Sequence, residues 1–525
     1  MRLPTPRALA ATLALTSAGF MPLAAQAAPR EVDAYVTQAL RRFSQPGVAI
    51  AVVKEGKVVF QQGWGVRAVG RPEPVTAQSV FQVASNSKAV TAAALAILVD
   101  EGKLAWDDPV TKFLPWFRLG GDAYVTREFT VRDLLLHRSG LSLGAGDLLW
   151  WFSDASREEI ARALALIAPA RSFRTTYDYD NVLYIVAGEV VQAASGMPWD
   201  DFVRTRIFQP LGMAHASTSV RDFRPGDDLA APHARVSTTG ALERIPWDTV
   251  DNVGSAGAIN ASVADWARWL VVQLDSGRTP DGTRLWNEQR TREMWHPGIM
   301  MQVGLPAPAF AQLRANFSGY ALGWFVRDYK GLKLLTHTGG LAGMLSRVFL
   351  VPEKKIGVVV FSNGETNAFN ALGWWVLDWA LGGPRPDWVA AYAAAGDETL
   401  ARDRAFEDSA AAARKKDVGP SLPLAALAGT YHDAWYGDVT LKEEGGHLVL
   451  SWSRSPGLTA DLEHWQYDTF RARMRVKWAS DAFVTFQLKA DGTVDRMMMA
   501  PVLPSTDFSF NYQDLEFHPV AGTAH

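Results

Sequence analysis

Strand-forming runs stand at both ends of a long helical stretch, and this spacing restricts the fold more than any other feature. Gly47-Val-Ala-Ile-Ala-Val-Val-Lys54 and Lys57-Val-Val-Phe-Gln-Gln62 flank Glu55-Gly56. Two β-rich runs around a tight glycine-containing turn predict a hairpin. Lys333–Thr336, Ser346–Val351 and Lys355–Ser362 give further strands, closed by a tryptophan-rich helix over 371–381. From about Leu104 to Tyr320 the pattern is helical and loop-rich. One sheet must therefore be assembled from distant parts of the chain, with helices packed on it. From Gly396 to Lys416 the sequence turns charged and alanine-rich and breaks at Gly419-Pro420, which predicts a partly helical linker. Beyond it, Val439–Lys442, His447–Trp452 and Phe483–Leu488 alternate around glycine turns, the pattern of a small barrel or sandwich.

The chain of 525 residues is long enough for two or three domains. A formal charge of −3 without a basic block gives no footprint for nucleic acid. With 0 cysteines, disulfides, thiolate metal sites, a cysteine nucleophile and a lipid-anchoring cysteine are all excluded. Arg2 and Arg7 precede an apolar stretch from Ala8 to Ala25, then Ala25-Gln26-Ala27. This reads as a secretory signal peptide over 1–27, so the mature protein is expected to be exported, periplasmic or secreted. The apolar cluster Ala371–Leu381 contains Asp378 and is too short to span a bilayer, so a packed helix is expected there. For most of the 20 tryptophans a packed core is the expectation, with Trp150-Trp-Phe152 and the loop from Pro297 to Phe317 as candidate pocket walls.

Three short motifs carry chemistry. Ser85-Asn-Ser-Lys88 opens an apolar helix through Leu98. Three residues make just under one turn, so Ser85 and Lys88 share a face, beside the free N–H groups of a helix start. A serine hydroxyl needs a neighbouring base, and a desolvated lysine can serve as one. Tyr179-Asp-Asn181 enters a second helix. A phenol beside a lysine can have its pKa lowered enough to move protons, and the Asn181 amide can hold a carbonyl or orient Lys88. His337-Thr-Gly-Gly340 follows the strand ending at Thr336, where glycines let the backbone approach a ligand closely. Read singly, each motif also fits a helix cap, a core aromatic or a strand-ending turn.

In this order the motifs resemble those of the serine β-lactamase and penicillin-binding-protein family, nearest its esterase and class C branch. Leu134-Leu-Leu-His-Arg-Ser-Gly-Leu141, Pro210-Leu-Gly-Met213, Ala256-Gly-Ala-Ile259 and Gly339-Gly-Leu-Ala-Gly343 also resemble landmarks of that family. The resemblance implies an α/β (α+β) fold: an antiparallel sheet flanked by helices, with a helical subdomain, over 28–395. A linker over 396–420 and a barrel-like all-β domain over 421–525 then follow. It implies that Ser85 is acylated and that Lys88 and Tyr179 share proton transfer. Asn181, His337, Thr338, Gly339 and Gly340 would bind substrate, the N–H groups of Ser85 and Gly340 forming the oxyanion hole. No cofactor and no metal are expected, since no histidine cluster has ligand spacing. The partner would be a small ester, amide or D-amino-acid peptide.

Two departures bear on substrate. Asp180 stands where the family often has Ser or Ala, and either charges the site or points away. His337 replaces the lysine usual among penicillin-recognising members, removing a fixed cation. That shifts the expectation toward esterase or peptidase, with β-lactamase or DD-peptidase as the alternative. A third reading is an inert binding protein on the same fold, but such a protein is expected to have lost the serine, lysine or tyrosine. Gly140-Leu-Ser-Leu-Gly144 fits a nucleophile elbow at Ser142, but the elbow needs a strand before it, and Val131–His137 reads as helix.

Overall fold

The computed structural model describes residues 27–236 and 241–520. The predicted signal peptide therefore lies outside the described residues, except for its last position. The hairpin forms as expected, from β1 (Gly47–Lys54) and β2 (Lys57–Gly65). The remaining strands of the sheet are β3 (Ile299–Met301), β4 (Ser318–Tyr320), β5 (Phe325–Tyr329), β6 (Leu332–Leu341), β7 (Met344–Val351) and β8 (Ile356–Ser362). They assemble into one 8-stranded sheet in the order β2-β1-β8-β7-β6-β5-β4-β3, antiparallel throughout. The first hairpin is thus joined to strands some 300 residues later, through the pairing of Val48 with Ser362 and Lys54 with Ile356.

The apolar character of β1 follows from burial on both faces. Val48, Ile50 and Val52 pack with helix α1 (Arg30–Phe43), Phe349, Val358 and Val360. Ala49, Ala51 and Val53 point the other way, into the core shared with α2 (Ser87–Asp100). Helix α3 (Val182–Ser195) lies against α2 in the helical region, and α4 (Val263–Leu274) covers the sheet beside β1 and β8. The alanine-rich α2 is buried along nearly its whole length. Its small side chains allow close packing on every side.

The tryptophan-rich segment forms α5 (Ala368–Leu381), packed on the outer face of the sheet against β8 and α1. Among the described residues no helix is long and apolar enough to cross a membrane. Asp378 instead organises this face. Fully buried, it accepts hydrogen bonds from the Tyr329 hydroxyl (2.7 Å) and the Trp388 indole N–H (2.9 Å), and it pairs with Lys330. Helix α6 (Trp388–Ala413) starts at that indole and continues without a break past 396. The expected linker is thus largely helical, because Trp388, Val389 and Ala393 bury one side of its first turns.

Beyond α6, eight strands from Gly429–Asp433 to Glu516–Pro519 close into a barrel, each paired with the next and the last with the first. Closure removes the open edges that a sandwich would leave. Its inward residues, among them Leu441, Leu450, Phe470, Phe486 and Phe517, are buried as a packed core.

Replacing Asp378 with alanine would leave a buried hydroxyl, an indole N–H and an ammonium without their shared acceptor. We expect Asp378→Ala to cost about 3–5 kcal/mol of stability, read by urea denaturation. A loss below about 1 kcal/mol would show that this hub is dispensable.

Candidate active site

Ser85 lies on a tight turn, Ala84–Asn86, that leads directly into α2. Ala84 takes the left-handed conformation, φ 50°, which is rare for a residue with a side chain. The contacts around the turn explain how it is held. Asn86 donates to Ser346 Oγ on β7 (2.7 Å), and Ser346 donates to the Val83 carbonyl (2.7 Å). Strained backbone at a candidate nucleophile presents the side chain away from the core, at a cost the neighbours cover.

Lys88, in the first turn of α2, is fully buried. Its Nζ donates to Ser85 Oγ (3.1 Å), to Asn181 Oδ1 (2.7 Å) and to the Ala256 carbonyl (3.1 Å). The aromatic faces of Tyr179 and Tyr184 lie 4.7 Å and 5.3 Å from it. Burial pushes the ammonium down to about 7, against the pull of the Asp147 and Asp180 carboxyls. A lysine so placed is free base in substantial fraction near neutral pH, which is what proton abstraction from a serine requires.

Tyr179 is brought to the same point. Its hydroxyl is buried beside the Ser85 hydroxyl, whose hydrogen bond pulls the phenol's pKa down against burial. Here the sequence reading needs correction. Proximity to Lys88 does not lower the phenol's pKa; burial holds it well above 10. The resting phenol is therefore neutral, suited to relaying or donating a proton rather than to removing one. Asn181, just before α3, turns its carbonyl to Lys88 and its amide nitrogen to Asp147 Oδ2 (2.8 Å). Asp180 neither faces Lys88 directly nor points away to solvent. It is buried and caps α3, Oδ1 accepting from the N–H of Val182 (2.9 Å) and Leu183 (3.4 Å). Burial favours its neutral form.

The third motif lies inside a strand, not after one. β6 continues through His337-Thr338-Gly339-Gly340 because β7 pairs with it as far as Leu341 and Met344. Gly339 lets this strand press on the serine turn: a Cβ there would sit 2.2 Å from the Val83 carbonyl oxygen and 2.4 Å from Ser346 Oγ. Gly340 is exposed, Thr338 half-buried. The His337 ring, by contrast, is buried with both nitrogens engaged. Nδ1 contacts its neighbour's carbonyl, Thr338 O (2.6 Å), and Nε2 the Tyr320 hydroxyl (3.0 Å). Burial, with Lys88 nearby, pushes the imidazole down to about 3, so it is neutral. Its ring supports the strand from behind.

Sequence reasoning overlooked several groups. His137 lies tilted against Tyr179 (4.2 Å between centroids) and accepts from the Asp180 N–H at Nδ1 (3.0 Å), which fixes the loop carrying Tyr179 and Asn181. Its segment, Leu-Leu-His-Arg-Ser-Gly, was a recognisable landmark without an assigned role. Asp147 and the barrel residues Phe508 and Ser509 also reach the site, and no local pattern announces them. Ser142 is spent on a contact with Asp514 (3.3 Å), and a short helix, Val131–Leu135, stands where an elbow would need a strand. Trp150 and Trp151 are buried, stacked on each other, and Trp151 stacks on Phe510 of the barrel. The loop Gln302–Ala315 instead borders a surface hollow with Arg327 and Tyr392.

Known proteins match most of the chain. The Beta-lactamase family model matches residues 32–382, and a model described as Domain of unknown function (DUF3471) matches 413–519. The Unguisins hydrolase of Aspergillus violaceofuscus is 29% identical over 479 residues, covering 84% of this chain and 82% of that one. Penicillin-binding protein 4 of Amycolatopsis lactamdurans is 30% identical over 325 residues, 61% of this chain and 81% of the relative. Among solved structures, the octameric penicillin-binding protein homologue from Pyrococcus abyssi gives a TM-score of 0.59 at 20% identity, covering 93% of this chain and 99% of that one. D-amino acid amidase from Ochrobactrum anthropi SV3 gives 0.54 at 21%, covering 67% and 98%. At those identities the two structures speak for the fold.

Gly339→Ala tests the close approach of β6 to the serine turn. Overpacking there should lower stability by about 1–3 kcal/mol and displace Ser85, so thermal melts and covalent labelling of Ser85 should both suffer. Wild-type values in both would mean the contact is slack.

Proposed function

Since the chain belongs to the β-lactamase family of serine hydrolases, we propose that it is an exported hydrolase that acylates Ser85 and cleaves esters or small amides, D-amino-acid peptides among them. The observation that carries this reading is the buried Lys88 ammonium group, 3.1 Å from Ser85 Oγ and pushed down to about 7. Neutral Lys88 takes the proton of Ser85 as Oγ bonds to the substrate carbonyl carbon. The carbonyl C–O or C–N bond then breaks, and the leaving alcohol or amine departs with a proton relayed through Tyr179. Water repeats the sequence on the acyl-enzyme, releasing the acid and restoring Ser85. The exposed backbone edge at Gly340 and the N–H of Ser85 are the groups placed to receive the developing oxyanion.

The neutral His337 supports the choice of substrate. A β-lactam presents a carboxylate, and the neutral His337 offers it no fixed cation. Esters and amides without that charge lose nothing by its absence. The neighbour named as a D-amino acid amidase is the reason an amide is on the panel. Export rests on the leader pattern over 1–27.

The test is turnover and intact mass with a p-nitrophenyl ester, a D-amino-acid amide and a penicillin, alongside Ser85→Ala. We expect Ser85-dependent turnover of ester or amide, with penicillin the poorer acylating agent. Lys88→Ala should slow turnover by about 10²–10⁴-fold. The rate kcat/KM should rise with pH through about 7, as Lys88 loses its proton. A stable or rapidly hydrolysed penicillin adduct as the dominant reaction would instead favour a penicillin-binding protein or a β-lactamase. No Ser85-dependent reaction with any of the three would favour the inert binder.

A further inference from the structure

Asp147 stands at the start of a short turn, Asp147–Leu149, and is fully buried. Its Oδ2 accepts two hydrogen bonds, from Asn181 Nδ2 at 2.8 Å and from Ser509 Oγ at 2.7 Å. The far end of the Asn181 amide accepts from Lys88 Nζ at 2.7 Å. The amide orientation is thereby forced, because reversing it would set NH₂ against ammonium and carbonyl against carboxylate. A continuous chain of contacts runs Ser509, Asp147, Asn181, Lys88, Ser85. Its first member belongs to the barrel and its last is the candidate nucleophile, 424 residues earlier in the sequence.

Ser509 is held for this purpose. It lies in the segment between the last two barrel strands, almost completely buried, with its N–H donating to Asp507 Oδ1 (2.9 Å). Phe508 places its ring edge-on to Tyr179 (5.7 Å), and Phe510 stacks on Trp151 (4.9 Å). The Phe508 carbonyl passes so close to Gly144 (φ +75°) that a Cβ there would lie 2.6 Å from it. The segment is therefore seated in the helical region on both sides of Ser509.

We propose that the C-terminal barrel completes the catalytic site, with Asp147 and Ser509 as positioning residues that hold Asn181 on Lys88. This rests on the reading of Ser85 and Lys88 given above. The electrostatics give the arrangement a measurable consequence. Around Lys88 stand Asp147, whose charge favours its protonation, Asp180, which burial holds toward its neutral form, the rings of Tyr179 and Tyr184, and His137 and His337, which burial keeps neutral. Burial pushes the Asp147 carboxyl up to about 6, opposed by the neighbouring donors Ser509, Trp150 and Asn181 and by the charge on Lys88. Removing the Ser509 hydroxyl raises that carboxyl further and so removes negative charge near neutral pH. Lys88 then titrates at lower pH, as it would with an uncharged side chain at position 147.

The test uses the full chain labelled with ¹³C at the lysine ε-carbon, the Lys88 resonance being identified with Lys88→Ala. In Ser509→Ala and Asp147→Asn the Lys88 midpoint should move below its wild-type value, and the acid limb of kcat/KM for the p-nitrophenyl ester should move with it. The plateau of kcat/KM should fall by about ten- to a hundredfold as Asn181 loses its anchor. Ser509→Thr, which keeps the hydroxyl, should restore the wild-type midpoint, separating this role from a general loosening of the barrel. An unmoved midpoint in Ser509→Ala or in Asp147→Asn overturns the proposal, whatever happens to the rate. If the midpoints move but no Ser85-dependent turnover of any substrate is found, the hydrolase reading fails and the positioning role stands.

Discussion

A lysine amine enclosed on all sides is the constraint on which the rest of this protein depends. Lys88 has no solvent exposure, so its protons must be met by protein groups or be given up. Three separate parts of the chain meet them: the serine turn before α2, the Asn181 loop before α3, and the Ala256 carbonyl. Each of these must be held rigidly, because a buried amine with one acceptor missing costs more than the remaining bonds return. Much of the surrounding architecture serves that requirement. β6 and β7 brace the serine turn, His137 braces the Tyr179 loop, and α2 packs against α3.

The same enclosure divides labour among the titratable groups. Burial lowers Lys88 and raises Tyr179, so one becomes a base near neutral pH and the other stays protonated. Burial likewise neutralises His337 and disfavours charge on Asp180. Of the carboxyls close to Lys88, Asp147 is the one bonded to the relay, and it is bonded from both domains. The barrel is accordingly more than an appended module: its segment around Phe508 and Ser509 forms part of the wall and part of the electrostatics of the site.

Much of this was legible from residue order. The hairpin, the late strands and the small β domain follow from period-two patterning and glycine turns, and the Ser85–Lys88 spacing places both residues on one helix face. The glycines of His337-Thr-Gly-Gly340 pointed to a close backbone approach to a ligand, and the close approach the structure shows is that of Gly339 to the serine turn. Errors arose where burial decides the answer. The sequence pattern ends a strand at Thr336, yet β7 supplies partners for five more residues. Histidine at 337 reads as a substrate contact until the Tyr320 hydroxyl and the Thr338 carbonyl are seen to occupy its ring. A phenol beside a lysine reads as acidified until its desolvation is counted.

What the sequence determined by itself is local and periodic: which segments become strands and helices, and that Ser85 and Lys88 stand one turn apart. These depend on side chains near one another along the chain, so residue order suffices. The tertiary structure alone decided the protonation states and the partners across domains. Desolvation depends on everything packed around a group, and the contact between Asp147 and Ser509 joins residues 362 positions apart that no motif connects.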